Sequence, residues 1–218
     1  MTKRYELIVF DWDGTLMDSA AVIVECIQAA SRDLGLAVPD DERAAHVIGL
    51  GLADALAYAI PGLPQSEYRN VAERYRHHFL LRDPHIPLFP GTREMLAALR
   101  DRGHRLAIAT GKSTRGLERA LQTTGVGDFF VASRCADQCA SKPAPDMLHE
   151  LMAELDAAAE TTLMIGDTVH DLQMAVNAGV AALAVGHGAH PKEKLMVLEP
   201  LACVDSTADL TRWLHENA

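Results

Sequence analysis

The fold is decided by a short stretch near the start of the chain, Leu7-Ile8-Val9-Phe10-Asp11-Trp12-Asp13-Gly14-Thr15. Its four leading apolar residues predict a short strand that is covered on both faces, as the strands of a parallel sheet are. The strand ends abruptly at Asp11, and a second acid, Asp13, follows two residues later. Ligands of an open parallel sheet collect beyond the carboxyl ends of its strands, so these two acids are candidates for chemistry.

Further apolar runs of strand length follow along the chain, at residues 105–109, 162–165 and 181–185. The segments between the runs carry apolar residues at helical spacing, at 94–100, 117–121, 148–155 and 172–176. Strands that alternate with helices in this way predict an α/β fold, with a Rossmann-like parallel sheet wrapped by helices.

The segment from 18 to 84 interrupts this alternation, because its periodic stretches are all helical. We predict helices over residues 20–34, 40–46, 52–59 and 67–81, with prolines between them. Asp18 and Ser19 are natural N-cap residues for the first of these helices. The sequence therefore predicts an α/β core of residues 1–17 and 85–218 that carries an inserted all-helical cap of residues 18–84.

Composition bounds the size and the partners of the protein. The 218 residues are 49% hydrophobic, enough for one large domain with a smaller insert, and their formal net charge is -10. That charge argues against a general affinity for nucleic acid or for an anionic membrane surface. The four cysteines lack the spacing of a metal site, and no stretch approaches the roughly 20 apolar residues of a membrane span. We expect a cytoplasmic protein that is a monomer or a homodimer.

Polar side chains also follow the other predicted strands. The strand at 105–109 is followed by Thr110-Gly111-Lys112-Ser113, and the strand at 162–165 by Gly166-Asp167-Thr168-Val169-His170-Asp171. Between those two strands, Lys142 stands before Pro143. Parallel strands end at one edge of their sheet, so four chain segments would deliver carboxylates, a hydroxyl and an ammonium to one place.

A phosphate ester suits this set of groups. A phosphate monoester is a dianion, and two unit charges about 4 Å apart interact by about 4 kcal/mol at an effective dielectric constant of about 20. Carboxylates alone would therefore repel it. A divalent cation held by the carboxylates removes that conflict, and hard oxygen ligands together with phosphate suit Mg²⁺. The stretch at 109–113 is not a P-loop, because Leu106 stands where that motif needs its first glycine.

In chain order, these residues resemble the four motifs of the haloacid dehalogenase-like hydrolases: Asp11-Trp12-Asp13-Gly14-Thr15, then Thr110, then Lys142, then Gly166-Asp167 with Asp171. The resemblance covers essentially the whole chain and points to the phosphoglycolate phosphatase branch, which carries a helical cap. It implies a Mg²⁺-dependent phosphomonoester hydrolase that acts on a small phosphorylated metabolite through an aspartyl-phosphate intermediate.

The resemblance also implies a role for each catalytic residue. Asp11 resembles the nucleophile that accepts the phosphoryl group. Asp13 resembles the general acid that protonates the leaving alcohol and then the base that activates water. Thr110 and Lys142 resemble the anchors of the phosphoryl group, and Lys142 would also restrain Asp11.

A metal site follows from the same resemblance. Mg²⁺ would be bound by Asp11, by the backbone carbonyl of Asp13 and by Asp167. Asp171 would be a further ligand or a water-mediated support.

The resemblance places substrate contacts on both sides of the site. Gly111 would join Thr110 and Lys142 on the side of the sheet. Gly49 lies in the cap stretch 47–52, which resembles the loop that reaches down to the substrate, and glycines there allow a close backbone approach.

Two alternative functions remain open at this point. A sugar phosphomutase would use Asp11 and Asp13 as a phosphatase does but would return the phosphoryl group to its substrate. A phospho-accepting receiver module would also combine acids, a threonine and a Lys-Pro pair at strand ends. Receivers, however, are much shorter and lack a helical insert after the first strand.

The leaving group is less constrained than the phosphate. From Arg4 to Gly111 the chain has no lysine, which excludes the Schiff-base chemistry of phosphonate-cleaving relatives. Several arginines of the predicted cap either read a substrate carboxylate or face solvent, namely Arg43, Arg69, Arg74 and Arg76. The roles of three histidines near the last motif also stay open, namely His170, His187 and His190.

Overall fold

The computed structural model describes residues 4–218. Its centre is a six-stranded sheet in which every neighbouring pair is parallel. The strands in chain order are β1 (Leu7–Phe10), β2 (Arg105–Thr110), β3 (Ala132–Cys135), β4 (Thr162–Gly166), β5 (Ala181–Val185) and β6 (Cys203–Val204). They lie in the spatial order β3-β2-β1-β4-β5-β6, so the α/β fold class predicted from the sequence is confirmed.

Ten α-helices accompany this sheet within the described part of the chain. The first four belong to the segment that follows β1, namely α1 (Ala20–Asp33), α2 (Asp41–His46), α3 (Leu52–Ala59) and α4 (Tyr68–Leu80). Six follow, namely α5 (Thr92–Asp101), α6 (Thr114–Thr124), α7 (Asp146–Glu154), α8 (Val169–Ala178), α9 (Lys192–Met196) and α10 (Thr207–Asn217). None of the described helices is long and apolar enough to cross a membrane.

Strand β1 is buried on both faces, because its side chains alternate between two apolar cores. Ile8 and Phe10 pack in one core with residues of α5, α6 and α10. Leu7 and Val9 pack in the other core with residues of α7 and α8. This double burial explains why β1 is a continuous apolar run in the sequence.

The register of β1 sets where the site forms. Phe10 is aligned with Ile108 of β2 on one side and with Ile165 of β4 on the other. Asp11, the next residue, therefore lies level with the ends of both neighbouring strands. The chain order of the sheet reverses next to β1, and such a switch point opens a crevice for ligands.

The predicted elements agree with the structure where the pattern was strong. The strands at 7–10 and 181–185 have the predicted bounds, and those at 105–109 and 162–165 are each one residue longer. The sequence analysis missed β3, β6, α9 and α10. The edge strand β3 reads Ala-Ser-Arg-Cys, which is not an apolar run, and β6 has only two residues.

The segment 18–84 is helical, as predicted, and its helices α1 to α4 begin and end within two residues of the predicted bounds. One detail differs from the prediction. Ser19 precedes α1, but its side chain makes no capping hydrogen bond to that helix. Its hydroxyl donates instead to a carboxylate oxygen of Asp13, at 2.6 Å. That this segment acts as a cap stays a prediction at this point.

Candidate active site

A buried ammonium group joins two of the predicted site residues. The Nζ atom of Lys142 donates to Oδ1 of Asp11 at 2.8 Å and to Oδ1 of Asp171 at 2.7 Å. All three side chains are at most 1% exposed. Burial alone would lower the pKa of Lys142, but the two carboxylates outweigh it and raise the pKa above its ordinary value. Lys142 therefore stays charged and restrains Asp11 in one orientation.

Asp167 is held by two donors from separate loops. Thr15 donates its hydroxyl to Oδ1 at 2.7 Å, and the backbone N–H of Ala189 donates to Oδ2 at 2.7 Å. Gly14 and Gly188 lie against the Asp167 carboxylate, and a Cβ on either would collide with it. Gly14 also has a φ of 81°, a left-handed conformation that favours glycine. The D-x-D-G-T stretch thus contributes two acids and also a glycine, Gly14, whose lack of a side chain leaves room for the Asp167 carboxylate.

Three carboxylates meet in this place. Asp11, Asp167 and Asp171 offer oxygen atoms that all lie within 4.8 Å of one another. Burial, opposed by Lys142 and reinforced by Asp171, raises the pKa of Asp11 to about 7. Burial and the charges of Asp11 and Asp171 raise the pKa of Asp167 well above its ordinary value. The cluster is therefore under strong mutual repulsion when it is ionised.

The donor set suits a hard divalent cation. When all three carboxylates are ionised, the one ammonium of Lys142 leaves two negative charges uncompensated in a buried place. The Oδ2 atom of Asp11 is buried and has no hydrogen-bond partner within residues 4–218. Carboxylate oxygens of this kind are the ligands that Mg²⁺ prefers. The residues present thus fit the predicted metal.

Besides its contact with Lys142, Asp171 forms hydrogen bonds that cap the start of α8. Its Oδ2 accepts the backbone N–H of Thr168 at 3.0 Å and the Thr168 hydroxyl at 2.6 Å, and its own N–H is capped by that hydroxyl. This is a capping box at the start of α8. Because both Asp171 oxygens are already bonded to protein donors, the geometry favours the supporting role over direct metal binding.

Asp13 lies outside this group of three carboxylates, beside the helical segment. Its Oδ1 accepts the Ser19 hydroxyl at 2.6 Å and lies 3.0 Å from Nζ of Lys112. The same ammonium lies 4.7 Å from the centre of the Phe79 ring, on α4. Sequence reasoning missed Ser19, Lys112 and Phe79. The sequence places Lys112 just after a predicted strand and Ser19 at a helix start, but no local signal links either of them, or Phe79, to Asp13.

The loop between α2 and α3 lies directly on the end of β2. A Cβ on Gly111 would come within 2.6 Å of the carbonyl carbon and oxygen of Gly49. The backbone N–H of Gly51 donates to the Ser141 hydroxyl at 2.8 Å. Thr110, the last residue of β2, is 1% exposed, and its hydroxyl accepts the N–H of Lys112 at 3.2 Å. The structure thus brings Gly49, Gly111 and Thr110 together beside the acids.

Two of the histidines whose roles were open hold the helical segment against the sheet. Nε2 of His170 lies 2.7 Å, and Nε2 of His190 3.3 Å, from the backbone oxygen of His46. The N–H of Val169 donates to Nδ1 of His190 at 3.0 Å, so the ring proton of His190 is on Nε2 and points at that oxygen.

The imidazoles of His46, His170 and His190 could in principle bind a metal, since their nitrogens lie within 4.8 Å of one another. Both nitrogens of His190 are already used in hydrogen bonds, however. Burial lowers the pKa of His190 to about 4 and lowers that of His170. We therefore assign this cluster a structural role: the neutral rings of His170 and His190 bind the backbone oxygen of His46, at the end of α2.

His187 has a different environment from the other two. Its ring lies against Phe89, with centres 4.3 Å apart, and its Nε2 is 3.5 Å from the backbone oxygen of Thr15. It therefore packs behind the D-x-D-G-T loop rather than among the carboxylates.

Comparison with known proteins gives consistent matches over nearly the full chain. A family model described as haloacid dehalogenase-like hydrolase matches residues 8–185. The protein named "Probable phosphatase IndB" of Dickeya dadantii is 36% identical over 215 residues, which are 96% of this chain and 93% of that protein. A phosphoglycolate phosphatase of Agrobacterium fabrum is 31% identical, over 99% of this chain and 96% of its own.

The fold has close counterparts among solved structures. The crystal structure of a hydrolase from Pseudomonas syringae superimposes with a TM-score of 0.90, over 98% of this chain and 99% of its own, at 20% identity. At that identity the match concerns the fold alone.

Proposed function

The chain belongs to the haloacid dehalogenase-like hydrolases and is a phosphatase, and from that premise we propose that it hydrolyses small phosphomonoesters with Mg²⁺ through an aspartyl-phosphate on Asp11. One observation carries the proposal. Asp11 is buried, held through Oδ1 by Lys142, and left with an unbonded Oδ2 among carboxylates that need a cation.

The first half of the reaction uses the two acids of the D-x-D-G-T stretch. Oδ2 of Asp11 attacks phosphorus, a new P–O bond forms, and the bond to the ester oxygen breaks. Lys142 fixes the other oxygen of Asp11 and adds positive charge beside the phosphoryl group. Asp13, on the side of the helical segment, gives its proton to the leaving alcohol.

The second half regenerates the enzyme. Asp13, now a carboxylate, takes a proton from water, and the resulting nucleophile attacks phosphorus of the aspartyl-phosphate. Inorganic phosphate leaves and Asp11 is again a free carboxylate. The hydroxyl of Thr110 and the ammonium of Lys142 anchor the phosphoryl oxygens through both halves.

Asp11, Asp167 and the backbone carbonyl of Asp13 would hold Mg²⁺, with Asp171 as support. The ion supplies positive charge against the phosphoryl oxygens and the carboxylates. The residues that hold it do so from rigid positions, since Asp167 is fixed by Thr15 and Asp171 by the capping box. Such support keeps ligands aligned.

We further propose that residues 18–84 form the cap of this site. The Gly49 backbone lies on Gly111, and α2 is clasped by His170 and His190. A covering segment of this kind excludes bulk water from the phosphoryl group and contacts the leaving group.

A phosphate-release assay over a panel of phosphorylated metabolites, with Mg²⁺ present, tests the proposal. We expect multiple turnovers for at least one small phosphomonoester. A sugar phosphomutase would instead interconvert sugar monophosphates without accumulating inorganic phosphate, and that result would replace the proposal. The receiver alternative finds no support, since the chain belongs to a hydrolase family and relatives that match nearly its full length are named phosphatases.

A further inference from the structure

A cavity of about 250 Å³ lies between the helical segment and the end of the sheet. Its wall on the side of the sheet includes Asp13, Gly111 and Lys112, so it opens at the proposed general acid. It extends from there as far as Ala30 and Ala59, which are at most 3% exposed. The cavity therefore leads from the reacting atoms into the interior of the helical segment.

The wall inside the helical segment is mainly aliphatic and aromatic, and its polar members are the Tyr75 hydroxyl and Arg76. It is formed by side chains of α1, α3 and α4. Typical members are Ile23, Ile27, Leu56, Val71 and Phe79.

Two of the three cationic side chains on the wall are paired with carboxylates. Lys112 pairs with Asp13 at 3.0 Å, and Arg119 pairs with Asp83 at 2.5 Å. The remaining arginine, Arg76, is exposed on α4 and has no ion pair with any described residue. Arg76 is thus the wall cation to be tested as a partner for a charged leaving group.

From this wall we infer that the leaving group is an apolar alcohol, alkyl or aryl, rather than a carboxylate-bearing or polyhydroxylated one. The inference rests on the proposed phosphatase function and on the cavity's continuity with Asp13. A buried hydroxyl or carboxylate without a partner is penalised, whereas buried methylene groups gain the hydrophobic free energy. The phosphoryl group stays at Asp11 while the carbon chain lies among the cap helices.

A series of straight-chain alkyl phosphates, from ethyl to hexyl phosphate, tests this directly. Their leaving alcohols differ little in acidity, so differences in kcat/KM report burial rather than chemistry. We expect kcat/KM to rise about three- to fourfold per added methylene. A flat series, with phosphate release otherwise intact, overturns the inference and leaves the proposed function standing.

Two phenylalanine substitutions on α3 provide a matched pair. Ala55 lines the cavity, whereas Ala57 on the same helix is exposed and does not. Ala55→Phe should shorten the cavity and flatten the chain-length dependence. Ala57→Phe should preserve the wild-type slope, and equal slopes in both variants would contradict the assignment of the cavity.

A binding measurement separates this inference from the reaction. Alkylphosphonates of the same lengths cannot be hydrolysed in this way, and their Kd values can be measured by calorimetry in the presence of Mg²⁺. Affinity that increases with chain length supports the assignment of the cavity, whether or not any ester is turned over. Absence of turnover for every ester would overturn only the proposed function. Affinity independent of length overturns the inference.

A substitution of Arg76 tests the alternative, that the site binds a carboxylate on the leaving group. If phosphoglycolate is turned over faster than hexyl phosphate, and Arg76→Met removes that preference, the site reads a carboxylate and the apolar assignment is wrong. We expect hexyl phosphate to be preferred, with Arg76→Met leaving its kcat/KM within twofold of wild type.

Discussion

The backbone of Gly49 lies so close to Gly111 that a Cβ on Gly111 would be 2.6 Å from the Gly49 carbonyl oxygen. Two segments that are far apart in the sequence thus touch through backbone alone. Gly111→Ala should push the loop at 47–51 away from the end of β2. We expect kcat/KM to fall about a hundredfold, since small displacements in an active site have effects of that size.

Gly127→Ala is the control for that prediction. A Cβ at Gly127 would meet Leu121 at 3.7 Å, an ordinary contact. Its kcat/KM should equal that of wild type. Full activity of Gly111→Ala would show that the contact between the loop and β2 is not needed in catalysis.

Asp11→Asn should remove turnover while leaving the fold intact. The amide cannot form the phosphoryl intermediate, so phosphate release should fall at least about a thousandfold. The free energy of unfolding should stay within about 1 kcal/mol of wild type, because Asp171 still pairs with Lys142 and the repulsion among the carboxylates is relieved. Asp101→Asn, at an exposed position of α5, is the control. Undiminished phosphate release by Asp11→Asn would refute the assignment of the nucleophile.

Lys142→Met should destabilise the protein as well as inactivate it. Removal of the ammonium leaves Asp11 and Asp171 buried without their counter-charge, which costs about 3–5 kcal/mol. Urea unfolding measures that loss. Lys192→Met, which removes an exposed pair with Asp205, should change stability little. Equal effects of the two substitutions would mean that the buried pair contributes no more than a surface one.

Metal dependence should appear in both activity and stability. Thorough chelation should abolish phosphate release, and Mg²⁺ at about 100 times its Kd should add about 2.7 kcal/mol to the free energy of unfolding. The Mg²⁺-induced shift in Tm should be absent in Asp167→Asn. Comparing the shift within each variant, rather than absolute Tm values, removes the effect of the substitution on the fold. Activity that survives chelation would argue against the metal site.

Stability should fall as the pH falls through the histidine range. Burial lowers the pKa of His190 to about 4 in the folded protein, against about 6.5 in an unfolded chain. The unfolded state therefore binds more protons between those values, and lowering the pH from 7 to 5 should remove about 2 kcal/mol through this residue. His190→Phe should lose less stability than wild type over that interval. If His190→Phe and wild type lost the same stability over that interval, the proton uptake on unfolding would have to occur at other residues.

Much of the fold could be predicted because its signals are local. The run at Leu7–Phe10 is apolar at every position, which marks a strand buried on both faces, and the helices of the segment 18–84 carry their periodicity within themselves. Strand β3 has a serine and an arginine as its two middle residues, and β6 has only two residues, so neither carries such a signal. Their pairing depends on neighbouring strands rather than on their own residues.

The sequence by itself determined which residues stand at the ends of the strands, because strand length and the acids that follow are properties of consecutive positions. It placed Asp11, Asp167 and Lys142 as candidates for one site. Only the tertiary structure decided that Asp13 pairs with Lys112 and that Asp171 closes a capping box. Those contacts join segments or orient side chains, and their free energy depends on distances in space that no local pattern encodes.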